Sequence, residues 1–131
     1  MIQLTLINGV NELANGTGVQ VKGNRNPDEE GGLSPRELIE GAVALCTSIT
    51  LESVLKRDGI DYNPDEVKVQ VVASKDEGVK NRFTQFDVKL TLPQNLEASY
   101  QQKLLKVVER GCTISNTIMN GAKVTLATVN E

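Results

Sequence analysis

The chain has 131 residues, 39% of them hydrophobic and 24% charged, with a formal net charge of −3. That size and composition predict one packed soluble domain over residues 1–131 and exclude a disordered or fibrous chain, while the absence of any block of Lys and Arg argues against a surface that neutralises nucleic-acid phosphates. Histidine is absent, which removes Cys-His pairs, Ser-His-Asp triads and the common zinc sites in one step and leaves Cys46 and Cys112 as the residues with distinctive chemistry.

The N-terminal "MIQLTLINGV" lacks the basic and long apolar regions of a signal peptide, and no segment approaches about 18 consecutive apolar residues, so a cytoplasmic protein away from membranes is expected. In that reducing compartment the two cysteines are expected to be free, catalytic or redox-active, not a permanent bridge. "IQLTLI" alternates Ile2, Leu4 and Leu6 with Gln3 and Thr5, as a half-buried strand does; glycines and asparagines then mark a turn. "GVQVKG" predicts a second short strand around Val19 and Val21, followed by the polar loop "NRNPDEEGGL".

The stretch Ser34 to Gly59, "SPRELIEGAVALCTSITLESVLKRDG", carries helix signals at both ends. Ser34 is placed to cap, Pro35 to occupy the first helical position, Glu37 to complete a capping box, and Gly59 to follow the last turn, where Lys56 and Arg57 suit the dipole. From Gly41 to Leu51 the only ionisable side chain is Cys46, so most of this central helix must be covered by protein, a task that a partner subunit could complete. "EVKVQVVASK" and "FTQFDVKLTL" alternate as an antiparallel pair that Pro93 ends. Asn95 is placed to cap a second helix running through Arg110, with Gly111 as its stop and Cys112 at the turn beyond. "TISNTIMNG" reads as a loop with a short helical turn, and "AKVTLATV" as a last strand. The expected class is α+β, order ββαββαβ, an antiparallel sheet packed on a long central helix and a second helix.

Two segments together, "SPRELIEGAVALCTSITLESVLKRDGI" and "RGCTISNTIMNG", resemble the two signatures of the OsmC/Ohr family. There a proline-initiated central helix carries one cysteine and a second follows the later helix, usually as Cys-Pro-Val-Ser-Asn. The likeness covers roughly Gly32 to Val129. It implies an OsmC-like fold, an intertwined homodimer and the reduction of organic hydroperoxides by thiols, with no cofactor or metal but an external dithiol as reductant. Carried over by position, Cys46 matches the peroxidatic cysteine and Cys112 the resolving one. The family's acid follows the proline directly in some members, where this chain has Arg36, and comes one residue later in others, where it has Glu37. Its N-terminal arginine is matched only by Arg25, and the proline after the second cysteine is replaced by Thr113.

Peroxide reduction needs a thiolate, and an ordinary thiol is only a few per cent ionised at neutral pH, less when buried. A guanidinium within hydrogen-bond reach would favour the anion, and a second cysteine would convert the sulfenic acid to a disulfide. Glu37 precedes Cys46 by nine residues, which on a straight helix places it on the opposite face and roughly 13 Å away along the axis; any help it offers a cysteine would go to the partner subunit. Each residue also has a bland explanation. Free cysteine is a common core residue, Ser-x-x-Glu is a sufficient reason for Glu37, and Arg25 suits a solvated loop. A non-catalytic dimeric binding protein and a thiol sensor of oxidation are the alternatives.

Overall fold

In the computed structural model, which describes residues 1–129, the order is β1 (Ile2–Ile7), β2 (Val10–Asn15), β3 (Gln20–Gly23), α1 (Pro35–Arg57), a 3-10 turn (Pro64–Glu66), β4 (Lys68–Ser74), β5 (Gln85–Thr91), α2 (Ala98–Gly111) and α3 (Thr113–Asn120). The last two residues of the domain expected over 1–131 lie outside the described residues. The class is α+β, as expected, but the order ββαββαβ needs three corrections. A strand was missed at Val10–Asn15, because Asn11, Glu12 and Asn15 interrupt its apolar alternation. Asn8 and Gly9 both have positive φ, 51° and 78°, and form a two-residue connection that folds β2 back on β1. The segment expected to be loop and a single turn is the eight-residue α3. The expected last strand does not form: among the described residues, no ladder includes 122–129, and Val124 and Leu126 are exposed, Leu126 at 95%. Alternation supplies a strand with two faces but not with the neighbouring edge that its N–H and C=O groups require.

The chain divides into two compact units, Met1–Ala44 with Gln70–Lys89, and Leu45–Val69 with the residues from Leu90 onward. In the first, β1, β2 and β3 form an antiparallel sheet in that order, with Leu4 opposite Leu13 and Leu13 opposite Val21. The chain after β3 returns through a bridge between Gly23 and Leu33, closed by Asn24 N to Leu33 O and Leu33 N to Lys22 O, both 2.8 Å. Gly32 is needed there, since any Cβ would collide with the Lys22 carbonyl. The predicted capping box then starts α1: Glu37 N donates to Ser34 Oγ at 3.2 Å, and Ser34 N donates to Glu37 Oε1 at 2.9 Å. The next charges tie α1 to β4. Arg36 Nη2 donates to the Ala73 carbonyl, Ala73 N donates to Glu40 Oε2 at 2.8 Å, and Arg36 Nε lies 3.4 Å from the same carboxylate oxygen.

In the second unit, Leu51, Val54 and Leu55 of α1 pack with Leu96 and with Leu104 and Val108 of α2 in one buried cluster. Burial of these side chains supplies the main driving force for pairing the two helices. By length and composition α1 would also pass for a membrane-crossing helix, but Leu51 and Leu55 are fully enclosed by protein. Tyr100 Oη donates to Asp58 Oδ2 at 2.7 Å, tying α2 to the end of α1. Burial and the Asp58 carboxylate push the Tyr100 hydroxyl up to about 12. Asn95 is not the cap expected of it: Glu97 is the N-cap of α2, without a side-chain capping bond, and Asn95 Nδ2 donates to the Asp61 carbonyl at 2.8 Å. That bond anchors the loop before α2, a long-range use that local sequence does not disclose.

Candidate functional site

Cys46 lies on α1, half-buried, and its carbonyl accepts from Thr50 Oγ1 at 2.8 Å. Cys112 is the hinge between two helices: its N–H donates to Val108 O at the end of α2, and its carbonyl accepts from Asn116 N at the start of α3. Gly111 brings this hinge onto α1, for a Cβ there would stand 3.0 Å from Thr50 Cγ2. The sequence suggested Gly111 as a helix stop, yet it is the last residue of α2 and matters because it lacks a side chain.

The consequence is a pair of thiols. Cys46 is a hydrogen-bonding neighbour of the Cys112 sulfur, which also receives Ser115 Oγ at 3.2 Å and lies 4.0 Å from Thr47 Oγ1. Cys112 is only 2% exposed. Burial pushes its thiol up, but the hydroxyl and backbone N–H of Ser115, with Cys46 and Thr47 adding to them, outweigh burial and hold it below the ordinary cysteine value. Cys112 is thus surrounded by donors suited to a thiolate, while Cys46 is the more exposed of the two residues. Ser115 and Thr47 were missed from sequence. The Cys-x-x-Ser spacing of an N-cap and its third helical residue was the available signal, and reading 113–121 as mostly loop concealed it.

The other two sequence-derived candidates belong to the first unit. The Glu37 carboxylate is taken up by the cap, and the backbone N–H and then the hydroxyl of Ser34 hold it below the usual carboxylate range. Arg25 lines an open cleft that also includes Arg36, Lys75 and Phe83. Among the described residues, no group of three or more His, Cys, Asp or Glu side chains could hold a metal ion.

The sequence pattern of the OsmC-like protein family matches residues 27–127, most of the chain and both cysteines. The chain belongs to the OsmC-like family. No curated protein matches it. Solved structures share the fold of this OsmC-like protein at low identity. An OsmC-like protein from Mycoplasma pneumoniae superposes with a TM-score of 0.76 at 14% identity, covering 91% of this chain and 86% of that one. An organic hydroperoxide resistance protein OsmC from Legionella pneumophila gives 0.67 at 16% identity, covering 90% and 87%. The organic hydroperoxide resistance protein OhrB of Bacillus subtilis gives 0.63 at 21% identity, covering 89% of each chain. The matched span of this OsmC-like chain includes Glu37 and begins two residues after Arg25.

Proposed function

We propose that this OsmC-like protein is a cytoplasmic, thiol-dependent peroxidase of organic hydroperoxides, acting in defence against peroxide stress. The observation that carries the reading is the meeting of Cys46 and Cys112, 66 residues apart in sequence, within one hydrogen-bonded cluster. Cys46, the more exposed of the two cysteines, attacks as thiolate the distal oxygen of the hydroperoxide. The O–O bond breaks, the alkoxide takes a proton and leaves as alcohol, and Cys46 is left as sulfenic acid. The Cys112 thiolate then displaces hydroxide, which leaves as water, to form the Cys46–Cys112 disulfide. An external dithiol reduces that bond and is itself oxidised to a disulfide. The donors around Cys112 favour the thiolate that the second step needs. The apolar neighbours of Cys46 along α1 suit an alkyl or lipid hydroperoxide better than strongly hydrated hydrogen peroxide. In this reading Arg25 and Glu37 act through the first unit, Arg25 as a cation for the peroxide and Glu37 by fixing the start of the helix that carries Cys46.

The protein acts as a homodimer in this proposal. Leu45 and Ile49, one turn apart on α1, are 64% and 55% exposed, and Ile2, Leu4 and Leu6 of β1 are exposed as well, apolar surface that a second copy would cover. The test of the chemistry is turnover of an alkyl hydroperoxide with a dithiol by the wild type and by Cys46→Ser. Activity should vanish in the variant, and equal rates would end the assignment. One equivalent of peroxide should yield the Cys46–Cys112 disulfide in the wild type, read by mass spectrometry, and a stable Cys46 sulfenic acid in Cys112→Ser.

A further inference from the structure

The first unit holds a feature that the cysteine chemistry does not account for. An open cleft of about 480 Å³ is lined by Arg25, Arg36 and Lys75, with Phe83, Pro27 and Pro35 among its apolar walls and no carboxylate in its lining. In a chain of net charge −3, three cations around one concavity invert the local sign. The acidic run Asp28, Glu29 and Glu30 that follows Pro27 does not line the cleft.

The three cations are held differently. Arg36 is fixed, with Nη2 on the Ala73 carbonyl and Nε beside Glu40, so its charge is partly offset and its place is set. The Nε atom is enclosed and makes no hydrogen bond to the described residues. Lys75 is also positioned, since its ammonium donates to the Lys80 carbonyl at 2.7 Å and lies 5.2 Å from the centre of the Phe83 ring, but among the described residues no carboxylate forms an ion pair with it. Arg25 has no ion-pair partner among the described residues, and its planar fork is free to grip a two-oxygen anion.

We propose that this cleft binds an organic carboxylate: the anion between Arg25 and Lys75, and an aromatic or alkyl body against Phe83 and the two prolines. Its volume is that of a small-molecule site, and an apolar wall with a few convergent charges is the usual make-up of one. A bare inorganic anion would satisfy the cations and leave the apolar wall unused. A neutral aromatic would do the reverse and leave Arg25 unpaired.

The site shares Arg25 with the peroxidase reading but does not rest on it, and its test involves no turnover. Binding of 4-phenylbutyrate, 4-phenylbutyramide and inorganic phosphate to the full chain is followed by titration with backbone amide NMR. The carboxylate should shift the amides around residues 25, 36, 75 and 83, bind at least ~10-fold more tightly than the neutral amide and than phosphate, and weaken as salt is raised. Arg25→Gln and Lys75→Gln, both on exposed side chains, should each weaken it several-fold, with unchanged amide spectra outside the cleft showing that the variants are folded. The proposal is overturned if the amide binds as well as the carboxylate, if phosphate alone binds as tightly, if Arg25→Gln binds unchanged, if the shifts map elsewhere, or if 4-phenylbutyrate does not bind at all.

Discussion

At the scale of single residues, the site turns on what surrounds one sulfur. Cys112 would be an inert core thiol if burial acted alone, because desolvation disfavours the anion. Ser115 reverses that outcome by presenting both its hydroxyl and its backbone N–H to the sulfur. Replacing Ser115 with Ala removes the hydroxyl and keeps the amide, so the Cys112 thiol pKa should rise and the pH profile of its alkylation should move to higher pH. Mass spectrometry after timed exposure to iodoacetamide resolves Cys112 from Cys46, and coincident profiles in the two proteins would show that Ser115 does not set this acidity. Cysteine at these two positions was legible from the signatures. The Ser115 hydroxyl lies at Cys-x-x-Ser spacing and was concealed by reading 113–121 as mostly loop, whereas the Thr47 hydroxyl was not legible because it meets the Cys112 sulfur across 65 positions of sequence.

At the scale of elements, α1 was the most legible part of the chain, for its start and stop are local chemistry. Pro35 and Glu37 behave as their positions dictate, and Gly59 has the positive φ, 67°, of a residue that ends a helix. Ser34→Ala deletes the buried hydroxyl of the capping box and should cost about 1 kcal/mol of unfolding free energy in a urea titration. Glu37→Gln keeps a side-chain oxygen for Ser34 N, so its stability at neutral pH should fall by less than in Ser34→Ala; a larger loss would mean that the carboxylate is held for more than the cap. The pH dependence has a definite sign. Glu37 is held below its unfolded value, so its stabilising contribution is complete above that value and disappears as pH falls through the folded one, and Glu37→Gln should lose this acid-sensitive component. The start of α2 was misplaced because Asn95 has the chemistry of a cap but is used by Asp61, and helix propensity contains no information on that distant carbonyl.

At the scale of the whole molecule, apolar surface left outside is the chief unsolved debt of a single chain. Leu45 and Ile49 lie on the same helix as the enclosed Leu51 and Leu55, and β1 exposes Ile2, Leu4 and Leu6. A soluble monomer rarely presents so many large apolar side chains in repeated series. The proposed homodimer predicts that Leu45→Glu with Ile49→Glu shifts the mass measured by light scattering from dimer towards monomer, and makes the thermal midpoint of the wild type, but not of the variant, depend on protein concentration. A wild type that is monomeric at all concentrations would refute it. The segment 122–129, alternating but unpaired, belongs to the same scale: whether it becomes a strand depends on an edge that no local pattern specifies.

The sequence by itself determined the α+β class, the central helix with both of its ends, the two cysteines as the candidates for chemistry, and the family to which the chain belongs. These follow from periodicity, capping and signature residues, all of which act over a few neighbouring positions. Only the tertiary structure decided that Cys46 and Cys112 meet, that Thr47 reaches the buried sulfur, that Gly111 serves as a point of close approach, and that Arg25 lines a cationic cleft with Lys75 and Phe83. Those arrangements depend on which distant surfaces pack together, and the acidity of a thiol or the charge of a cleft is a sum over neighbours that packing chooses.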